Sequence, residues 1–206
     1  LCVDTGYFQT FNRENVHLID LNASPIKNVN SNNIEADQDY EIDVLILATG
    51  FDAMTGALTS LDILGRNEVN LKDQWKEGAK SYLGLGVSNF PNLFTITGPG
   101  SPSVLSNMMP SIEQHVNWIA DCIGWMSENN KSVIESTKTA EDEWMELVNE
   151  IADMTIFTST QSWYNGSNIE DKAKAFLPFI GVTVYTEKLE EITAAEDKGF
   201  IDDKSN

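Results

Sequence analysis

The chain has 206 residues, 41% of them apolar, and a formal net charge of −19 at pH 7. That length suits one large domain or one and a half. The acidic balance excludes a nucleic-acid partner, which needs clustered Lys and Arg. It also repels anionic membranes, and no apolar run approaches the roughly 20 residues of a membrane span. The expected setting is the cytoplasm, and the start at Leu1, with no leader, reads as a truncation at the front. Cys2 and Cys122 stand apart, as two buried thiols in a reducing compartment. His17 and His115 are too few and too distant for zinc, so no metal is expected.

Residues 7–40 read as short strands and turns. Residues 15–20 have the apolar content of a strand, and the polar run 28–39 reads as a hairpin or an exposed loop. Residues 42–48 are almost continuously apolar and rich in β-branched side chains, the pattern of a strand covered on both faces in a parallel sheet. This run stops at Thr49-Gly50. Residues 93–97 read as a second such strand, closed by Gly98-Pro-Gly100, and one helical turn is expected around residues 71–75. Pro110, Ser111 and Gln114 form a capping-box pattern opening a helix. Its apolar positions Ile112, Val116, Ile119, Ile123 and Met126 are expected to face the core. A second helix opens with Thr139 and Asp142 and repeats through Ala140, Trp144, Leu147, Ile151 and Met154. Its Glu141, Asp142 and Glu143 read as partners of the helix dipole rather than as acid/base catalysts. Residues 176–185 read as a final strand, followed by a short acidic helix or a frayed tail.

The arrangement with chemical promise is strand, Gly98-Pro-Gly100, Ser-rich loop and capped helix. A glycine turn lets a ligand approach the backbone closely. A helix N-terminus offers unpaired N–H groups and a positive dipole end to an anion. Those features suit the negatively charged N1/C2-carbonyl end of a reduced flavin, although a plain tight turn has the same pattern. Gly84-Leu-Gly86 lacks the third glycine of a dinucleotide fingerprint. Gly98-Pro-Gly100 has Ser103 in that place, and neither opens a βαβ unit.

Asp43-Val-Leu-Ile-Leu-Ala-Thr-Gly-Phe-Asp52 resembles the Ala-Thr-Gly-Phe-Asp segment of class B flavoprotein monooxygenases, and more narrowly of Baeyer–Villiger monooxygenases. The likeness continues through Phe90-Pro-Asn-Leu-Phe94, Gly98-Pro-Gly-Ser-Pro-Ser103, Leu105-Ser-Asn-Met108 and Ser111-Ile-Glu-Gln-His115. It persists through Asn149-Glu-Ile-Ala-Asp153 and Ser162-Trp-Tyr-Asn-Gly166, covering residues 1–169. The pair Ser103-Val104 matches an insertion in the phenylacetone-oxidising branch that the cyclohexanone-oxidising branch lacks.

The resemblance implies an α/β, three-layer FAD/NAD(P)-binding fold with an appended helical region. Residues 1–40 would end the NADPH-binding domain. Residues 41–206 would form the C-terminal part of the FAD-binding domain, with a helical region and an NADP-contacting loop. It implies FAD and NADPH as cofactors, with O2 and a small-molecule ketone as substrates. One oxygen atom would enter beside the carbonyl, giving an ester or lactone through a C4a-peroxyflavin. The alternatives are a related flavin monooxygenase oxidising sulfur or nitrogen, or a separate non-catalytic nucleotide-binding chain.

Residue by residue, the resemblance makes Thr49, Gly50, Asp52, Gly98, Pro99, Met108 and Trp163 cofactor-binding. It makes Ser103, Val104, Leu105 and Met108 substrate-lining. The structural alternatives are core filling for Met108, packing beneath its loop for Trp163 and a turn cap for Asp52. In the family, both glycine fingerprints and the arginine beside the flavin precede the position of Leu1. The expected partner is therefore a missing N-terminal half of the same protein, and the segment alone, with no catalytic residue of its own, is expected to be inactive. Glu170-Asp-Lys172 replaces the family's Pro-Gly-Lys, which leaves a cofactor role for Lys172 open, and residues beyond Ala173 are only weakly similar.

Overall fold

A computed structural model describes residues 5–102, 107–160, 162–167, 169–170, 172–175, 181–194 and 199–204. The chain divides into two units, Leu1–Thr49 and Gly50–Asn206. In the first, one helical turn, α1 (Tyr7–Thr10), precedes β1 (Asn28–Val29), β2 (Asn33–Glu35) and β3 (Asp39–Glu41). These form a three-stranded antiparallel sheet in the order β1-β2-β3, with Asn28 opposite Glu35 and Ile34 opposite Tyr40. The polar run 28–39 is thus a hairpin continued by a third strand.

The strand expected at residues 15–20 does not form. Asp20 instead accepts the Asn22 N–H on its side chain at 2.9 Å, a local turn that competes with a ladder. The strand expected at 42–48 is corrected as well, because residues 42–50 join no ladder. Val44, Ile46 and Leu47 are 75–80% exposed. A β-strand is defined by its neighbours, and among the described residues the run makes only one such backbone bond, at its start, from Ile42 N–H to Asn32 O at 2.8 Å.

The second unit contains α2 (Gly56–Thr59), α3 (Leu71–Gln74), α4 (Met108–Glu128), β4 (Lys131–Ser136), α5 (Lys138–Asp153), α6 (Gly181–Ala194) and β5 (Phe200–Lys204). Strand β4 pairs antiparallel with β5, Ser136 lying opposite Phe200. The helical turn expected at 71–75 is α3, capped by the Asn70 side chain, which accepts the Lys72 N–H. Residues 93–97, expected as a parallel strand, make only an isolated bridge from Phe94 to Gly86. Their backbone bonds go to a turn: Thr95 N–H donates to Leu85 O at 2.8 Å.

Both long helices exist, with different starts from those expected and buried faces that match only in part: Ile119, Met126, Ala140 and Trp144 do meet the core. Helix α4 begins at Met108 rather than Ser111, and its cap is Asn107, whose side chain accepts the Met109 N–H. Pro110 sits inside the first turn, where no intrahelical N–H is required. The buried face of α4 carries Ser111, His115 and Met126, flanked by Trp118, Ile119, Cys122 and Trp125. Val116 and Ile123 are exposed. Helix α5 is capped by Thr137, whose hydroxyl accepts the Ala140 N–H at 3.1 Å. Its buried face is Glu141, Trp144, Met145, Val148 and Ala152, while Leu147 and Met154 are exposed. In each helix a polar side chain with a specific partner took a core position that apolar periodicity assigned elsewhere.

Residues 181–185, expected at the end of a strand, open α6 instead; residues 176–180 lie outside the described set. Cys122 is half-buried rather than buried, and Cys2 lies outside the described residues. The main core gathers Leu83 and Leu85 with Trp144, Met145 and Val148 of α5 and Tyr185, Leu189 and Ile192 of α6. A smaller cluster joins Leu71, Trp75, Val87 and Phe90.

Candidate functional site

The Gly98-Pro-Gly100 turn is buried, and each of its three carbonyls accepts a hydrogen bond. Gly98 N–H donates to Gly84 O at 3.1 Å, and Ser101 N–H to Gly98 O at 3.0 Å. Pro99 O accepts from the Ser81 hydroxyl, which in turn accepts the Gly84 N–H at 3.0 Å. Gly100 O accepts the indole N–H of Trp144 at 2.9 Å. Upstream, Thr97 N–H donates to Nδ1 of His115 at 3.0 Å. Glycine is required twice here. Gly100 has φ +80°, a left-handed conformation that costs a side chain more than glycine. A Cβ at Gly98 would lie 2.5 Å from Oγ1 of Thr95 and 2.9 Å from Gly84 O.

The Thr95 hydroxyl donates to Gly84 O at 2.8 Å, and Gly98→Ala is therefore expected to push it off that carbonyl and to cost roughly 1–3 kcal/mol of stability. Denaturant unfolding measures this, and an unchanged midpoint would show that the turn has slack.

After the turn, the chain reaches α4 at Met108, which is half-buried in the first helical position. The hydroxyls of Ser101 and Ser111 are buried and have no hydrogen-bond partner among the described residues. Most buried polar atoms are paired, so two orphaned hydroxyls flanking this segment fit a polar ligand. Ser103, Val104 and Leu105, expected to line the substrate site, lie outside the described residues.

A second group of expected residues comes together around Lys172. Its ammonium pairs with the Asp52 carboxylate and donates to Ala53 O at 2.7 Å. The Lys172 side chain also passes the Trp163 turn, since a Cβ on Gly166 would lie 3.3 Å from its Cε. That turn is organised by buried Asn165, whose Oδ1 accepts from Ser167 N–H and Oγ at 3.2 and 2.5 Å. Trp163 is 54% exposed. Asp52 thus faces a lysine that the sequence reading left open. Thr49 and Gly50 fall on either side of the division between the two units, and Gly50 has φ +84°.

Glu141 lies in the first turn of α5, as the sequence suggested, but sequence reasoning missed that it is buried. It is 1% exposed, and its two carboxylate oxygens accept the N–H and Oγ–H of Ser88 at 3.1 and 2.5 Å. Burial pushes its pKa up, opposed by the Ser88 bonds and by nearby Lys138. Burial also pushes His115 down to about 4. Either residue could have been flagged as a polar group at a core position of a helix, the one signal present for it in the sequence.

No protein-family model matches the chain. It is 45% identical over 183 residues to a cyclohexanone 1,2-monooxygenase of Acinetobacter, covering 88% of this chain and 33% of that protein. A Baeyer–Villiger monooxygenase of Pseudooceanicola batsensis is 41% identical, with 95% and 35% covered. The fold superposes on the closed crystal structure of a cyclohexanone monooxygenase with TM-score 0.91 and 38% identity, covering 98% of this chain and 38% of that one. A steroid monooxygenase bound to NADP gives 0.84 and 40%, covering 98% and 38%. The chain spans about a third of the length of the curated relatives it matches.

These likenesses place the chain in an α/β fold shared with flavin monooxygenases. More narrowly, its homologues at 35–45% identity are Baeyer–Villiger and cyclohexanone monooxygenases, to about a third of whose length it corresponds. No helix among the described residues is long and apolar enough to cross a membrane.

Proposed function

We propose that this segment belongs to a cytoplasmic FAD- and NADPH-dependent Baeyer–Villiger monooxygenase. That enzyme inserts one oxygen atom of O2 beside a ketone carbonyl to give an ester or lactone. The observation that carries this reading is the 45% identity to a cyclohexanone monooxygenase, extending through the turn and helix that best suit a flavin. FAD, when bound and reduced by NADPH, supplies the oxygen-transferring chemistry.

The work of this chain's own residues is to bind and orient. Gly98 and Pro99 offer a rigid turn held by its own neighbours, and the dipole of α4 offers a positive end at Met108, where an anionic ring edge is stabilised. Met108, with Ser103, Val104 and Leu105, would border the substrate. Trp163, exposed on its turn, would cover NADP. Asp52 would act indirectly, holding Lys172 and the Trp163 turn in register, and Thr49 and Gly50 would mark the junction of the nucleotide-binding regions. In this reading residues 1–40 close the NADPH-binding domain and residues 41–206 belong to the FAD side. The rest of both sites comes from a preceding part of the same polypeptide, without which the segment is inactive.

A second reading has a specific support: a phenazine N-monooxygenase of Lysobacter antibioticus is 38% identical over 198 residues. Purified full-length protein supplied with NADPH and a panel of ketones, sulfides and heteroaromatic amines separates the two. Ester or lactone formation with stoichiometric FAD is expected. N-oxide formation without any ester would favour the second reading, and a colourless protein would refute both.

A further inference from the structure

Beneath the Gly98-Pro-Gly100 turn, two buried polar side chains form a directed chain. His115 of α4 and Tyr185 of α6 are both fully buried. Thr97 N–H donates to Nδ1 of His115 at 3.0 Å, Nε2 lies 2.8 Å from the Tyr185 hydroxyl, and that hydroxyl lies 2.5 Å from Leu83 O. The protons can be placed by counting donors. Leu83 O only accepts, so the phenolic hydrogen goes to it. Nδ1 receives the Thr97 N–H and carries no proton. The imidazole proton is therefore on Nε2, donated to Tyr185. One tautomer satisfies all four groups, and burial keeps the ring neutral down to about pH 4.

The chain also closes a circuit. It starts at Thr97 and ends at Leu83, while the next residues on either side, Gly98 and Gly84, are joined directly by a hydrogen bond of 3.1 Å. Inside this circuit Thr97 has φ +50°. For a β-branched residue that conformation is an outlier, and it persists only where the surroundings over-determine it. The partner of its N–H is Nδ1 of His115.

We propose that His115 is a positioning residue: its Nδ1, kept an acceptor by Tyr185, holds Thr97 in the left-handed conformation and so sets how the Gly98-Pro-Gly100 turn meets the flavin. The proposal rests on the reading that this turn borders the flavin. Filling space alone would not need it, because an apolar pair of similar size would avoid burying an imidazole and a phenol. A directional acceptor aimed at one strained N–H is what the polar pair adds.

The test uses the full-length flavoprotein with His115→Leu, His115→Asn and Tyr185→Phe. Asparagine keeps a side-chain acceptor near the place of Nδ1, and leucine does not. His115→Leu is expected to retain FAD, to change the visible circular dichroism of the flavin, and to lower kcat on the order of tenfold or more, with KM for NADPH unchanged. His115→Asn is expected to recover most of the spectrum and of kcat, even if it melts no higher than the leucine variant. Tyr185→Phe, which keeps volume and releases the tautomer, should fall between and remains informative if His115→Leu does not fold. Flavin spectra and kcat left unchanged in every variant, with only the melting temperature lowered, would overturn the proposal. So would an asparagine variant as impaired as the leucine one. An unsubstituted protein that binds no FAD overturns the family reading, and this proposal with it.

Discussion

Replacing Trp144 by alanine is expected to lower the free energy of unfolding by about 3–5 kcal/mol. The indole is 4% exposed in the centre of the main core. It meets the Tyr185 ring edge-on at a centroid distance of 6.1 Å. Its N–H is also the donor that Gly100 O receives, at 2.9 Å. Truncation therefore opens a cavity and leaves a buried carbonyl unpaired, two penalties that add. Trp144→Phe separates them: most of the volume stays, the hydrogen bond goes, and a loss of about 1–3 kcal/mol is expected. Denaturant midpoints of the two variants measure both numbers. Equal losses would mean that the hydrogen bond to the turn contributes the whole effect, and no loss in either would refute the assignment of Trp144 to the core.

Acidification should cost stability through His115, by roughly 3 kcal/mol between pH 6.5 and about 4. The sign follows from the direction of the shift. The folded pKa is depressed by burial, so the unfolded chain takes up a proton first. The contribution is complete above the unfolded value of 6.5 and disappears as pH falls towards the folded value of about 4. Glu141 works in the opposite direction. Its folded pKa is raised, so it costs least when protonated and gives stability back as pH falls. The net slope is a difference of the two, and a variant isolates one part. His115→Asn should flatten the acid limb of melting temperature against pH relative to the parent. An identical slope in parent and variant would sink this account.

The misreadings in the sequence have one physical origin. Periodicity shows that a segment is helical, but the phase of the buried face depends on what the helix meets. In α4 the reading followed Val116 and Ile123, while the folded chain buried His115 because Thr97 and Tyr185 offered both ring nitrogens a partner. In α5 it followed Leu147 and Met154, while Glu141 went inside because Ser88 offered two donors. Such partners lie tens of residues away and leave no local trace. The runs 42–48 and 93–97 have strand composition without strand pairing, since a ladder is a property of two segments. Helix existence, the 71–75 turn, the 28–39 hairpin and the Gly98-Pro-Gly100 turn were all legible, because caps, glycines and short-range turns are written locally. The supports of that turn, Ser81, Gly84, Trp144 and Tyr185, were not.

The apolar run at residues 44–47 has a practical consequence. Its side chains are 43–80% exposed, and its backbone lies outside any ladder among the described residues. An exposed apolar stretch of this kind is a surface for another chain, and self-association through such patches is a recognised hazard. Copies of this segment produced by themselves carry the means of sticking to each other, so a precipitating preparation would report on that patch before it reported on any lack of cofactor.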